Sequence, residues 1–190
     1  MNKEVLTSLQ ELVGVVNVKK ELQDIKKREY ENCPYQPSNH YEFLYLLAHL
    51  VKPKLVVELG TDKGLSIRYM MEGYSRAEFY TIDVNLNAGS LLEDKIVNII
   101  FGDSVKCADQ IPNDIDILFD DTDHEYDTLK NEFKTYLPKM KKGGIMIFDD
   151  ISDKLCFGAR KWWKELDYPT KINLPKIHLG HGMSVVIKDS

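Results

Sequence analysis

Four apolar runs in this chain each end in a carboxylate. They are Leu55-Val56-Val57-Glu58, Phe79-Tyr80-Thr81-Ile82-Asp83, Ile115-Asp116-Ile117-Leu118-Phe119-Asp120-Asp121 and Ile145-Met146-Ile147-Phe148-Asp149-Asp150. Short runs of this kind read as strands buried in a sheet. Between them lie stretches with helical spacing, such as Tyr126, Leu129, Phe133, Tyr136, Leu137 and Met140. Strands alternating with helices predict a parallel sheet covered by helices. Ligands of such sheets bind beyond the carboxyl ends of the strands. A buried carboxylate is costly unless it is paired, hydrogen-bonded or on a metal. The acid-lined edge is therefore where chemistry is expected.

The remaining boundaries follow from local signals. Leu6, Leu9, Val13 and Val16 have helical spacing, and Gly14 and Asn17 divide residues 1–32 into two expected helices. Two prolines keep Cys33-Pro34-Tyr35-Gln36-Pro37 out of regular helix. Ser38 is the candidate N-cap of a helix over Tyr41–Val51, ended by Pro53. Strands are expected at 54–58, 78–83, 96–101, 115–120 and 145–149, and a late helix at about 154–166. Gly143-Gly144 is expected to cap the helix before the fifth strand, with Lys139, Lys141 and Lys142 as its solvated end. Lys171 to Ile177 and Met183 to Lys188, joined by Leu179-Gly180-His181-Gly182, read as an antiparallel hairpin. Trp162 and Trp163 read as sheet packing.

Length and composition narrow the class. The 190 residues suffice for one domain with a two-sided core. A net charge of -5 argues against a nucleic-acid partner. There is no membrane-length apolar run and no signal-peptide core. Cys33, Cys107 and Cys156 are odd in number and far apart, which fits reduced thiols in a cytoplasmic protein. The expected partner is a small-molecule substrate, with no nucleic acid and no membrane. Homo-oligomer formation is left open.

The candidate chemistry lies at the strand ends. Glu58-Leu59-Gly60-Thr61-Asp62-Lys63-Gly64 is a glycine-containing turn that lets backbone approach a ligand at a helix N-terminus. It is not a GxGxxG fingerprint. Asp83 ends the next strand, where an acid can accept hydrogen bonds from ribose hydroxyls. Asp103, in Gly102-Asp103-Ser104, can accept from an adenine amino group, or serve the turn itself.

These residues resemble class I S-adenosylmethionine-dependent methyltransferases: Glu58-x-Gly60-x-x-x-Gly64, then Asp83, then Gly102-Asp103, and a C-terminal hairpin. The resemblance covers roughly residues 38–190, with 1–37 as an N-terminal helical cap on a single-domain α/β fold. It implies a Rossmann-like sandwich with sheet order 3-2-1-4-5-7-6 and S-adenosylmethionine as cofactor. It implies that Glu58, Gly60, Thr61, Gly64, Asp83, Asp103 and Asp121 bind that cofactor. Asp62 departs from it, standing where many relatives have glycine.

A narrower resemblance lies in Asp120-Asp121-Thr122-Asp123-His124 and Phe148-Asp149-Asp150. It is to the small metal-dependent O-methyltransferases of macrolide-sugar and other natural-product pathways. It implies a divalent cation, magnesium by its oxygen ligands, on Asp121, Asp149 and Asp150. Asp120 and Asp149 depart from that family, which usually has an apolar residue and often His there. Side chains alternate along a strand, so both Asp149 and Asp150 reach one ion only if the chain turns at Asp150. Asp123 is the candidate base and His124 a base or orienting group, each with a loop or capping role as the alternative. His178 and His181 have no matched ligand pair in sequence. The implied reaction is methyl transfer to a small-molecule hydroxyl. Its rivals are a nicotinamide oxidoreductase, lacking GxGxxG and Tyr-x-x-x-Lys, a non-catalytic nucleoside-binding protein, and a metal enzyme of the cephalosporin-hydroxylase-like group.

Overall fold

The five apolar strands pair in parallel, and their carboxyl ends share one edge. The computed structural model describes residues 3–13, 15, 17–30, 39–93, 95–177 and 181–189. Its strands are β1 (Leu55–Leu59), β2 (Glu78–Asp83), β3 (Asn98–Phe101), β4 (Ile115–Asp120), β5 (Met140–Phe148), β6 (Lys171–Leu174) and β7 (Met183–Ile187). They form one sheet in the order β3-β2-β1-β4-β5-β7-β6. β7 runs antiparallel to both β5 and β6. This is the Rossmann-like sheet that the resemblance implies. Leu59 lies opposite Ile82 and Asp120, and Asp120 opposite Phe148. That register aligns the acids that follow each strand.

Alternate strand residues feed two cores. Val56, Ile117, Ile145 and Ile147 face α3 (His40–Val51) and α4 (Leu65–Gly73), through Phe43, Leu47, Ile67 and Met70. Val57, Leu118, Met146 and Phe148 face α5 (Tyr126–Tyr136) and α6 (Phe157–Glu165), through Leu129, Phe133, Trp162 and Trp163. The tryptophans pack on Phe148, with ring centroids 4.9 and 6.0 Å away. α1 (Lys3–Leu12) adds Leu6 and Leu9 to the first core. α2 (Lys20–Tyr30) carries Leu22 and Ile25, which join Val18 against Tyr41, Leu65 and Tyr69. Among the described residues, no helix is long and apolar enough to cross a membrane.

Several boundaries differ from expectation. α5 ends at Tyr136, a 3-10 turn with Pro138 follows, and β5 starts at Met140. Lys141, Lys142 and Gly143 are therefore strand residues, not a helix end. Lys141 Nζ lies 2.8 Å from Asp116 Oδ1. Asp116 Oδ2 accepts the backbone N–H groups of Lys54 and Leu55, at 2.7 and 3.1 Å. Burial raises the Asp116 pKa, but Lys141 and those N–H groups outweigh it and hold the carboxyl below its usual range. β3 omits Ile96, which is 94% exposed, and β6 stops at Leu174. The expectations at Gly14, Val16, residues 33–38 and residues 178–180 lie outside the described residues.

Candidate active site

The turn after β1 is built around a missing side chain. Gly60 has φ +84, and a Cβ there would sit 2.0 Å from the carbonyl oxygen of Asp121. Its N–H donates to Ile82 O at 2.9 Å, while Asp121 N–H donates to Leu59 O at 2.9 Å. The loops leaving β1 and β4 are thus pressed back to back. Asp83 holds the turn from β2: its Oδ2 accepts the N–H groups of Thr61 and Asp62, both at 2.9 Å. Its Oδ1 accepts Asn85 N–H at 2.8 Å. Asp62 adopts φ +42, so the chain makes a left-handed turn there with an aspartate.

Gly60, Thr61, Gly64, Asp83, Asp103 and Asp121 all line one cavity of about 540 Å³. Glu58 does not. It is fully buried beneath the turn, where Ser66 Oγ donates to its Oε1 and Thr81 Oγ1 donates to its Oε2 at 2.9 Å. Thr81 Oγ1 also lies 2.6 Å from Thr61 Oγ1. Burial pushes the Glu58 carboxyl up to about 8, against the pull of the two hydroxyls, and the charges of Asp121 and Asp83 add to the rise. It supports the cavity floor in the neutral form.

Further residues wall the same cavity. Tyr41, Ser104, Thr122 and Glu132 also line it. Ser104 Oγ donates to Glu132 Oε1, and Thr122 Oγ1 lies 3.0 Å from Glu132 Oε2 and 3.2 Å from Asp120 Oδ1. Burial, then Glu132, raise the Asp120 carboxyl, while burial raises Glu132 against the pull of Ser104, Thr122 and Asp120. Glu132 was legible in principle. Leu129, Glu132, Phe133 and Tyr136 share the buried face of α5, and an acid within an apolar helical stripe is a signal.

Beyond β4 and β5 the acids separate. Asp123 is exposed and lines both the main cavity and a neighbouring hollow of about 430 Å³. Its Oδ1 accepts Glu125 N–H at 3.0 Å and its Oδ2 accepts Thr128 Oγ1–H at 3.0 Å. It therefore orders the start of α5, whatever else it does. His124 Nε2 lies 3.3 Å from Asp121 Oδ1 and 3.9 Å from Asp150 Oδ2. Burial lowers its pKa, but Asp121, Asp150 and Asp149 outweigh that and lift it to about 9. The neighbouring acids thus favour the charged form of His124.

The chain does turn at Asp150, which has φ +53. The turn does not unite the expected ligands. Asp149 is buried, with Oδ2 3.7 Å from His40 Nδ1. Among the described residues, the groups of three ligand atoms within 4.8 Å of one another are His124, Asp150 and Cys156, and Asp150, Asp153 and His181. Asp121, Asp149 and Asp150 are not such a group, because Asp149 is directed to His40. As placed, they do not fit a three-carboxylate magnesium site. Burial, then Asp150 and Asp153, push the Cys156 thiol up to about 12.

A family model described as a methyltransferase domain matches residues 57–151, half of the chain. An uncharacterised protein of Acanthamoeba polyphaga mimivirus is 32% identical over 60% of each chain. An uncharacterised protein of Sinorhizobium fredii is 25% identical over 76% of this chain but only 18% of its own length. The chain thus covers less than two thirds of these relatives. Among solved structures, an SAH-bound Podospora anserina methyltransferase shares the fold, with TM-score 0.76, 16% identity, and 100% of this chain and 97% of that one covered. A methyltransferase of mycinamycin biosynthesis, solved with magnesium and SAH, has TM-score 0.60 and 19% identity over 90% of this chain and 54% of that one.

Proposed function

The chain belongs to the methyltransferase-domain family, and we propose that it transfers the methyl group of S-adenosylmethionine to a hydroxyl of a small molecule. One observation carries this reading: Gly60, Thr61, Gly64, Asp83, Asp103 and Asp121, drawn from the ends of β1 to β4, line a single cavity. Its volume of about 540 Å³ suits a nucleoside-sized ligand. Four of its sides fit the cofactor chemically. The Gly60–Gly64 turn presents backbone to the cavity, and Asp83 has acceptor capacity left for ribose hydroxyls. Asp103 offers an acceptor for an amino group, and the surrounding carboxylates favour a sulfonium cation. SAH, the demethylated product, occupies the Podospora relative of the same fold.

When bound, S-adenosylmethionine supplies an electrophilic methyl group. The chain must then orient an acceptor and remove its proton. The role falls to Asp123 in this reading, supported by its position bordering both the main cavity and the adjoining hollow. A carboxylate there can take a hydroxyl proton as the oxygen is methylated. His124, beside Asp121 and Asp150, is the orienting group in this reading. No step is assigned to magnesium.

The test is calorimetry with S-adenosylmethionine and SAH. Both should bind, and Asp83→Ala should weaken binding by about 1–3 kcal/mol. Tight binding of a dinucleotide, with no response to either sulfur nucleoside, would overturn the reading. A binding protein that keeps the fold is the second reading, favoured by the engagement of both Asp123 oxygens. Methyl transfer from labelled cofactor to a hydroxylated acceptor library separates the two.

A further inference from the structure

Donor atoms from three separate segments meet beyond the ends of β4 and β5. Asp150 Oδ2 lies 3.9 Å from His124 Nε2 and 3.8 Å from Cys156 Sγ. All three donors lie within 4.8 Å of one another. Zinc binds nitrogen and oxygen at about 2.0–2.2 Å and sulfur at about 2.3 Å. A tetrahedron edge is about 1.6 times the bond, so neighbouring donors on zinc stand roughly 3.3–3.8 Å apart. The observed spacings are close to those edges. His124 Nε2 is buried without a hydrogen bond of standard geometry, and its near contacts are carboxylates.

The chain is bent to achieve this meeting. His124 and Asp150 have φ of +59 and +53, a conformation that costs a residue with a side chain. Backbone strain of this kind gathers at ligand sites. Gly158 closes the third side. A Cβ there would lie 2.6 Å from Tyr126 N and 2.7 Å from His124 O, so only a bare Cα lets the start of α6, with Cys156, approach His124.

Asp150 is also oriented from behind. Its Oδ1 lies 3.4 Å from His181 Nδ1, and His181 contacts Asp153 Oδ2 in turn. Ile151 N–H donates to Gly182 O at 3.0 Å, and Ser152 N–H to His181 O at 2.6 Å. These bonds seat His181 beside β5 and leave Asp150 Oδ2 toward His124 and Cys156. An outer shell that fixes a ligand's orientation is typical of metal centres.

We propose that His124, Asp150 and Cys156 hold a zinc-class divalent cation. The donor set decides the class: one nitrogen, one oxygen and one sulfur suit zinc or cobalt, whereas magnesium takes oxygen alone. Three protein ligands leave a fourth position for a water or hydroxyl, the pattern of catalytic rather than structural sites. Such an ion lowers the pKa of the oxygen it binds. The proposal concerns the same edge of the fold as the methyl transfer but stands on the three donors alone.

Cobalt titration of chelator-treated protein tests it. A thiolate–cobalt charge-transfer band should grow in the near ultraviolet, saturate at one equivalent, and vanish on adding zinc. Cys156→Ser should abolish the band, and His124→Gln should weaken cobalt binding at least tenfold, with circular dichroism unchanged. A band that survives Cys156→Ser, no band in the parent protein, or displacement of cobalt by equimolar magnesium would each overturn the proposal. If Cys156→Ser fails to fold, Asp150→Asn gives the same decision through cobalt affinity. The titration contains no cofactor, so its outcome is separate from that of the calorimetry.

Discussion

Replacing Glu58 with glutamine isolates the cost of an acid beneath the turn. The folded protein keeps the Glu58 proton up to about pH 8, whereas the unfolded chain loses it near 4.5. Between those values the native state binds the extra proton, so raising the pH favours unfolding. Stability carried by this group is complete below pH 4.5 and is lost as the pH rises through about 8. Each pH unit in the window costs about 1.4 kcal/mol, which makes about 5 kcal/mol across it. The amide in Glu58→Gln cannot ionise and retains an oxygen for one hydroxyl, with Ser66 and Thr81 both able to rotate. Urea unfolding at pH 5, 7 and 9 should show parent and variant within about 1 kcal/mol at the lowest pH. The parent should then fall behind steadily up to about pH 8. Parallel stability curves for the two proteins would refute the neutral buried acid.

Three further outcomes are expected. Gly60→Ala, which meets Asp121 O and loses the allowed φ, should destabilise the fold by more than about 1 kcal/mol in urea unfolding. It should also weaken S-adenosylmethionine binding at least tenfold by calorimetry. Asp123→Asn should lower turnover by about 10²–10⁴ and leave cofactor affinity unchanged; normal turnover would confine Asp123 to ordering α5. Asp116 has a lowered folded pKa, so its contribution is present above 3.8 and lost as the pH falls through the folded value. Asp116→Asn should therefore flatten the acid limb of the stability profile, read by fluorescence-detected melting.

The sheet was legible because its strands are apolar on both faces and stop at turns. The start of β5 was not. Lys141 and Lys142 look solvated, and Gly143-Gly144 looks like a helix end, until Asp116 is brought across from β4 to meet Lys141. The cavity wall was legible where one loop carries it, as at Gly60 to Gly64. Glu58 shares that motif but points under the loop, since strand alternation places it away from the cavity. His181 and Cys156 gave no signal because their partners arrive only through tertiary structure. Spacing along a chain records a site made by one turn, and it is blind to one made by three loops.

The back-to-back seating of Gly60 on the Asp121 carbonyl has a practical consequence for evolution and redesign. Remodelling residues 121–125 to admit a new acceptor would shift the wall of the cavity proposed for the cofactor. Acceptor range and cofactor affinity would then drift together, and most loop swaps would sacrifice both. Leu155 and Phe157 offer a freer route. They border the neighbouring hollow, are 77% and 66% exposed, and belong to the α6 entrance rather than the locked loops. A library restricted to those two positions should diversify acceptors while keeping the cofactor dissociation constant of the parent.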